Sequence, residues 1–315
     1  MPAALVAAID IGGTKVDVAV AGSTGEILQR LRLPTRPAGD PDDLFRRLGA
    51  ALDELRRRAG REIEAVGCTC PGIVRPDGIL LAPNLPGWQD VALAEKVREL
   101  SRVDVVDVTN DVKAAALAEA RAGQLRGAEP GLYLNVGTGI AAAVTVGGGV
   151  LQGAHQAGGE IAYFMPDVDD DNATAPEPAL ERIVGGGPLG EAATAVLGRP
   201  TTAAELYRST DPVATALAHR ALAHLAAALV NCCVLVDPER VALGGGLTGS
   251  ADLVLPLLAS ALTRRVPFPP DLTLARFTTD ASLHGALALA LDALADRASR
   301  PGEQASPALM HGSVS

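Results

Sequence analysis

Residues 4 to 9 (ALVAAI) are continuously apolar and residues 16 to 20 (VDVAV) alternate, with Gly12 and Gly13 between them. This pattern predicts a strand, a glycine turn and a second strand. EILQRLRL follows as a third strand, and the helical spacing of residues 41 to 59, after Asp40-Pro41, predicts a helix. EAVGCTCPGIV reads as a strand entering a Pro-Gly loop, GILLAPNLPGW as strand and loop, and residues 91 to 100 as a short helix. VDVVDV reads as a buried strand that passes through Asn110-Asp111 into an alanine-rich helix ending near Gly123.

The opening pattern then returns. LYLNVGTGIAAAVTVGG lies on AAIDIGGTKVDVAVAG at a constant offset, so that Asp10 matches Asn135 and Gly12 matches Gly137. An internal repeat of this kind implies two related α/β halves with a cleft between them. A glycine-rich, acidic loop region, including Asp169-Asp170-Asp171, fills residues 153 to 188. Apolar helices are predicted over about 189 to 197 and 212 to 235, and VALGGGL reads as a strand ending at Gly244 to Gly246. Residues 282 to 297 predict a last amphipathic helix, and the Pro, Gly, Ser and Gln tail from about 299 to 315 predicts disorder.

Composition narrows the classes. The 315 residues are 48% hydrophobic but only 3% aromatic, so the core must come from Ala, Val, Leu and Ile. A net charge of −10 argues against a nucleic-acid surface, which replaces phosphate counterions with Lys and Arg. The amino-terminal apolar run stops at Asp10 without a basic leader, and the stretch from Ala221 to Val236 is broken by His224 and Asn231. No signal peptide or membrane span is expected on that reading, but a cytoplasmic protein whose 221–236 stretch is a buried helix. Strand alternation puts Cys68 and Cys70 on one face, where a free cysteine serves as a small core hydrophobe; Cys232 and Cys233 form the other pair.

Several residues carry candidate chemistry. A strand–glycine–strand turn gathers backbone N–H groups into a concavity that a phosphate can approach. DIGGTK adds a carboxylate (Asp10), a hydroxyl (Thr14) and a cation (Lys15), and a carboxylate beside a phosphate suits an intervening Mg²⁺ ion. With the glycines at 137 to 139 and 244 to 246, three such turns could surround one nucleotide. The spacing is neither a P-loop nor a Rossmann fingerprint. Asp111 suits two roles: helix N-cap, or general base at the carboxyl end of a strand. Asn110 offers a donor and an acceptor for sugar hydroxyls, while Glu160 and Glu181 are equally readable as acids near helix starts.

DIGGTK, PGIV followed by GILLAPNLPGW, NDVKAAALAEA, LNVGTGIAAAV, LQGAHQAGGEIAYF, ALERIVGGG and VALGGGL occur in one order across the chain. In that series the chain resembles the ROK family (repressors, open reading frames and kinases), especially its bacterial glucokinase-like members. The resemblance implies an actin-like ATPase (ribonuclease H-like) fold and ATP-dependent phosphorylation of a sugar hydroxyl. Its domains would be a small one over 1–112, completed by the helix at about 283–297, and a large one over 113–282. Asp111 would be the catalytic base; Asn110, Glu160 and Glu181 would bind sugar hydroxyls. Gly12, Gly13, Thr14 and Lys15 would face the phosphates with Gly137, Thr138 and Gly139, Asp10 would hold Mg²⁺ through phosphates or water, and Gly245 and Gly246 would lie near adenosine.

Two departures stand out. Where the family has a histidine that touches sugar and binds a structural zinc, this chain has Tyr163, and no cysteine lies between Tyr163 and Glu181. A zinc site needs about four N or S ligands, so the chain resembles a zinc-free branch. Lys113 stands where the family commonly has Asn; it is either a solvated residue of the first helical turn or an electrostatic influence on Asp111 or a substrate group.

The family also holds repressors, but only nine residues precede Asp10, too few for a helix-turn-helix unit. A non-catalytic sugar-responsive regulator is a third reading. Asn110, Asp111, Glu160 and Glu181 imply a glucose-like substrate phosphorylated at its 6-hydroxyl. Tyr163, bulkier than histidine, changes the wall opposite and opens the alternative of a modified hexose, such as the amino sugar kanosamine, or a C7-cyclitol. Family analogy, with the apolar faces of helix 212–235, implies a homodimer or homotetramer.

Overall fold

The structure, a computed structural model, describes residues 4–35, 40–167 and 178–299. Asp169-Asp170-Asp171 and the expected disordered tail beyond Ser299 lie outside the described residues. The first half runs β1 (Leu5–Ile11), β2 (Lys15–Gly22), β3 (Ile27–Pro34), α1 (Pro41–Ala59), β4 (Ile63–Cys70), the small hairpin β5 (Ile73–Arg75) and β6 (Gly78–Leu80), α2 (Leu93–Ser101), β7 (Val106–Asn110) and α3 (Asp111–Ala122). The second runs β8 (Gly131–Val136), β9 (Ile140–Val146), β10 (Gly149–Val150), α4 (Glu181–Val184), α5 (Gly186–Leu197), α6 (Ala203–Tyr207), α7 (Pro212–Val236), β11 (Arg240–Gly244), α8 (Ala251–Arg265), β12 (Asp271–Leu274) and α9 (Ala281–Ser299).

The repeat is one of topology. The first sheet has the order β3-β2-β1-β4-β7 and the second β10-β9-β8-β11-β12. In each, an antiparallel hairpin is followed by two strands parallel to its first member. The chain therefore consists of two related α/β halves. The constant offset fails at one point, however. Ile11 pairs with Val16 but Val136 pairs with Ile140, so the second glycine turn is one residue shorter and β9 slips against the sequence alignment.

Alternation along β1 builds two cores at once. Leu5, Ala7, Ile9 and Ile11 face α1 and α2, whereas Val6 and Ala8 face Leu283, Ala286, Leu287 and Ala290 of α9. Asp40 caps α1 by accepting from Asp42 N at 3.0 Å, Pro41 supplies its first turn, and Leu44, Leu48, Leu52 and Leu55 recur at helical spacing on its buried face. Each such leucine contributes about 1.5–3 kcal/mol by leaving water. In the second sheet, Leu132, Leu134 and Val136 face α7 and α8, while Tyr133 faces Val112, Ala115 and Ala116 of α3. Helices α3 and α9 pack on one another, so they form a middle layer between the sheets. Alanine on both helices permits that close stacking.

Some expectations need correction. VDVVDV is not a wholly buried strand: β7 is an edge strand, Asp107 is exposed, and of residues 103–108 only Val103 is buried. Helix α7 buries Leu222, Leu225, Leu229, Cys232 and Cys233, yet Val234 and Leu235 are exposed, because they fall on its outer side with Ala223, Ala227 and Asn231. α7 and the stretch Gly246–Arg265 are long and apolar enough to cross a membrane, but their buried faces pack on the second sheet. Helix α8, which contains Pro256, and strand β12 were not legible in the sequence pattern. All four cysteines are free and buried, and Cys68 and Cys70 share one core cluster as strand alternation predicts.

Candidate active site

The parallel strands of the first sheet end level with one another. Register pairs Asp10 with Thr69, Thr69 with Thr109, and Cys70 with Asn110, so chemistry-bearing residues gather at the carboxyl edge, where α/β folds present ligands. Asp10 accepts hydrogen bonds from Thr69 Oγ1 at 2.9 Å and Ser282 Oγ at 2.7 Å. Burial raises the Asp10 pKa above the usual carboxylate value, and these two hydroxyls oppose that rise.

The cap question at α3 has a clear structural answer. Asn110 is the N-cap, its Oδ1 accepting from Lys113 N at 2.8 Å; Asp111 is the first helical residue and accepts from Val112 N at 2.9 Å. Asp111 is thus relieved of capping and is half-buried at the carboxyl edge of the sheet. Its pKa is pushed up to about 6, first by burial and then by the neighbouring negative charges of Asp10 and Glu160. A carboxyl poised near neutrality at such an edge is a candidate for proton transfer.

The opposite wall comes from the second half. Asn110 Nδ2 donates to Glu160 Oε1 at 3.4 Å, bringing those two sugar-binding candidates together. Glu160 precedes the 3₁₀ turn Ile161–Tyr163, and Tyr163, 50% exposed, lies within the electrostatic reach of Glu160 and Glu181. Burial raises the pKa of Glu160, Lys113 lowers it, and Glu181 raises it again. Glu181 opens α4 and its Oε2 accepts from Ile140 N at 3.0 Å. A Cβ on Gly139 would collide with that carboxylate, so glycine is needed there for the close approach.

The glycine turns differ in their surroundings. Gly12 N donates to Lys15 O at 2.9 Å, and Thr35 braces the turn through Gly12 O and Thr14 O. The Gly13 backbone lies against the Asn84 side chain, and Thr14 and Lys15 are exposed. In the second turn Gly137 N donates to Gly139 O at 2.9 Å, while Gly186 N and Gly187 N donate to the carbonyls of Gly137 and Thr138. Among the described residues no hydrogen bond joins the first turn to the second. A pocket opens beside the second turn, lined by Gly137, Gly186, Ala203, Tyr207, Gly246 and Ser250, among others. Gly245, with φ +82°, turns the chain from β11 into that pocket wall.

Sequence reasoning missed Thr69, Ser282, Asn84 and Tyr207, all of which reach the site from distant segments and carry no local signal. Its solvated alternative for Lys113 is overturned: the side chain is buried, because the loop after β10 folds over it. Among the described residues no group of three or more His, Cys, Asp or Glu side chains is arranged to hold a metal ion. A magnesium ion that travels with substrate phosphates needs only one or two protein carboxylates, and Asp10 fits that demand.

Comparison with known proteins adds the following. The ROK family model matches residues 6–293. The chain is 29% identical over 290 residues to a kanosamine kinase of Amycolatopsis mediterranei (strain S699), covering 90% of this chain and 94% of that protein. It is 31% identical over 290 residues to an N-acetylmannosamine kinase of Escherichia coli O139:H28, covering 90% and 97%. Among solved structures, a ROK hexokinase from Thermus thermophilus superposes with a TM-score of 0.79 at 32% identity, covering 93% of this chain and 99% of that one.

Proposed function

The chain belongs to the ROK family, and from that premise we propose that it is an ATP-dependent kinase phosphorylating the 6-hydroxyl of glucose or a glucose-like hexose. The observation that carries this reading is Asp111, a half-buried carboxylate released from helix capping by Asn110 and surrounded by Asp10 and Glu160. A primary alcohol is a poor nucleophile at neutral pH. Asp111 takes the proton from the sugar hydroxyl as its oxygen bonds to the transferring phosphorus and ADP departs.

Asn110, Glu160 and Glu181 supply the donors and acceptors that hold the sugar ring, with Tyr163 on the same wall. Gly12, Gly13, Thr14 and Lys15 face the phosphates together with Gly137, Thr138 and Gly139, their N–H groups opposing developing negative charge. Gly245, Gly246 and the pocket beside them hold adenosine. Asp10 is the residue that would hold Mg²⁺, through phosphates or water; the ion would supply neutralisation of phosphate charge. The two domains, 1–112 with α9 and 113–282, close on the sugar and keep water from being phosphorylated in its place. ATP as donor goes with a cytoplasmic protein, and the zinc-free reading goes with Tyr163 in the histidine position. Val234 and Leu235 offer exposed apolar surface to the expected homodimer or homotetramer, which light scattering at micromolar concentration tests.

A second reading is favoured by the named activities of the two relatives and by the half-exposed Tyr163: a kinase for a modified hexose such as an amino sugar. One experiment separates these. ADP release from ATP and Mg²⁺ is measured with glucose, mannose, fructose, N-acetylmannosamine and kanosamine, comparing kcat/KM. Glucose is expected to lead on the first reading and an amino sugar on the second. Sugar binding without turnover on any of them would overturn both in favour of a regulator.

A further inference from the structure

Lys113 occupies the third position of α3, where a lysine ordinarily reaches solvent, yet it is only 2% exposed. Its Nζ donates to Gln152 O at 3.4 Å and, more closely, to Gln156 O. Both carbonyls belong to the loop that leaves β10 and ends at Glu160. That loop folds on itself: Gly158 N donates to Gln152 O at 3.0 Å, and Gln156 adopts a left-handed φ of +62°. Two of the ammonium's three donors are thereby spent on loop carbonyls. A buried ammonium needs such polar partners to offset its desolvation.

The other end of the same helical turn meets the same loop. Asn110, capped onto Lys113 N, reaches Glu160 Oε1 through its Nδ2. The first turn of α3 therefore grips the loop at three points, two through Lys113 and one through Asn110. The charged or titratable groups around Lys113 and Glu160 are Asp111 on α3, Glu181 on α4, Tyr163 on the 3₁₀ turn, and the exposed His155 within the loop. Among the described residues Lys113 is the cation beside Glu160, and it favours the ionised carboxylate.

We propose that Lys113 is a positioning residue for the sugar end of the site: it ties the carbonyls of Gln152 and Gln156 to the first turn of α3 and so fixes Glu160 relative to Asn110 and Asp111. The assignment of that end to sugar rests on the kinase reading above; the tie itself does not. Lys113 acts on the loop and on Glu160, and leaves the phosphate-facing turns untouched.

The test compares Lys113→Met with the parent in two independent ways. Hydrogen exchange of the amides of 152 to 160 reads the tie directly and is expected to lose protection by about tenfold or more. Steady-state kinetics are expected to raise the sugar KM by at least about tenfold while the KM for ATP stays within about twofold. Unchanged loop protection and sugar KM, with only a lower melting temperature, would overturn the proposal. If the parent turns over no sugar, the kinase reading fails, and the exchange comparison still decides the role of Lys113. If Lys113→Met does not fold, Lys113→Arg, which keeps charge and donors, is set against Lys113→Gln, which keeps a donor alone. Protection retained in Arg and lost in Gln supports the tie; equal protection in both sinks it.

Discussion

The two glycine turns descend from one pattern and sit at matching places in matching sheets, yet they are equipped for different tasks. The first is led by a carboxylate, Asp10, whose oxygens are held by hydroxyls from β4 and α9, and it leaves Thr14 and Lys15 exposed. The second is led by the neutral Asn135, is one residue shorter, and is braced by the Glu181 carboxylate and by the amides of Gly186 and Gly187. A charged leading residue is thus confined to one half. A carboxylate leading both turns would set two like charges around any phosphate held between them, whereas an amide in the second half adds donors without that repulsion.

Substitutions can break this division or sharpen it. The largest effect is expected at Asp111, beside the charged half. Asp111→Asn should retain sugar and nucleotide binding by calorimetry while losing roughly 10²- to 10⁴-fold in turnover. In the parent, kcat/KM should fall as pH drops through about 6, where Asp111 takes up a proton. The stability sign runs the other way. A carboxyl whose folded pKa is raised penalises the folded state progressively as pH rises from the ordinary carboxylate range to about 6, and fully above it, so Asp111→Asn should melt a few degrees higher at pH 8, with the gain shrinking toward pH 4.

Asp10→Asn gives the first turn the same leading residue type as the second. Catalytic efficiency is expected to fall roughly 10- to 100-fold, mostly as a higher KM for Mg-ATP, as for groups that hold a metal through its shell. Asn135→Asp, the reverse change, should weaken nucleotide binding instead; tighter binding would mean that the two turns are not divided by charge.

A third pair compares bracing. Gly139→Ala pushes the Glu181 carboxylate off Ile140 N and should cost about 1–3 kcal/mol by leaving that buried amide without its partner, read as a lower denaturant midpoint. Gly12→Ala meets only Lys15 O, at 3.0 Å, and should cost less. Equal losses would remove the distinction between a braced and an open turn.

The smallest effect belongs to Tyr163→Phe, which deletes only a hydroxyl. A change of about 1 kcal/mol in the ratio of kcat/KM between glucose and its analogues marks direct contact with sugar, and unchanged ratios mark packing.

The repeat was readable because glycine and a polar residue punctuate an apolar run in the same way twice, and β1 and β8 obey that pattern. Its limit is equally physical: the one-residue shortening of the second turn leaves no trace in a string where Gly-Gly-Thr and Gly-Thr-Gly align without a gap. Asn110 and Asp111 were recognised as a pair, but which of them caps α3 depends on side-chain rotamers that adjacent positions do not reveal. Lys113 was unreadable as a buried residue because lysine reports its partners, here two backbone carbonyls about forty residues away, by no local pattern. Thr69 and Ser282 stand 59 and 272 residues from the carboxylate they serve. Helix α8 escaped notice because Pro256 sits within it and its apolar residues show no clean face.

Helix α9 carries a consequence for how the molecule is made. It covers the face of the first sheet formed by Val6, Ala8, Ala19, Ala21 and Ala65, and its Ser282 completes the setting of Asp10. During synthesis the strands of that sheet emerge before their cover, which follows the second sheet. Strand β1 therefore waits for α9 with one apolar face bare, and loop closure over 272 residues precedes a finished setting for Asp10. A chain stopped before α9 carries an open sheet and an unfinished Asp10 in the same molecule.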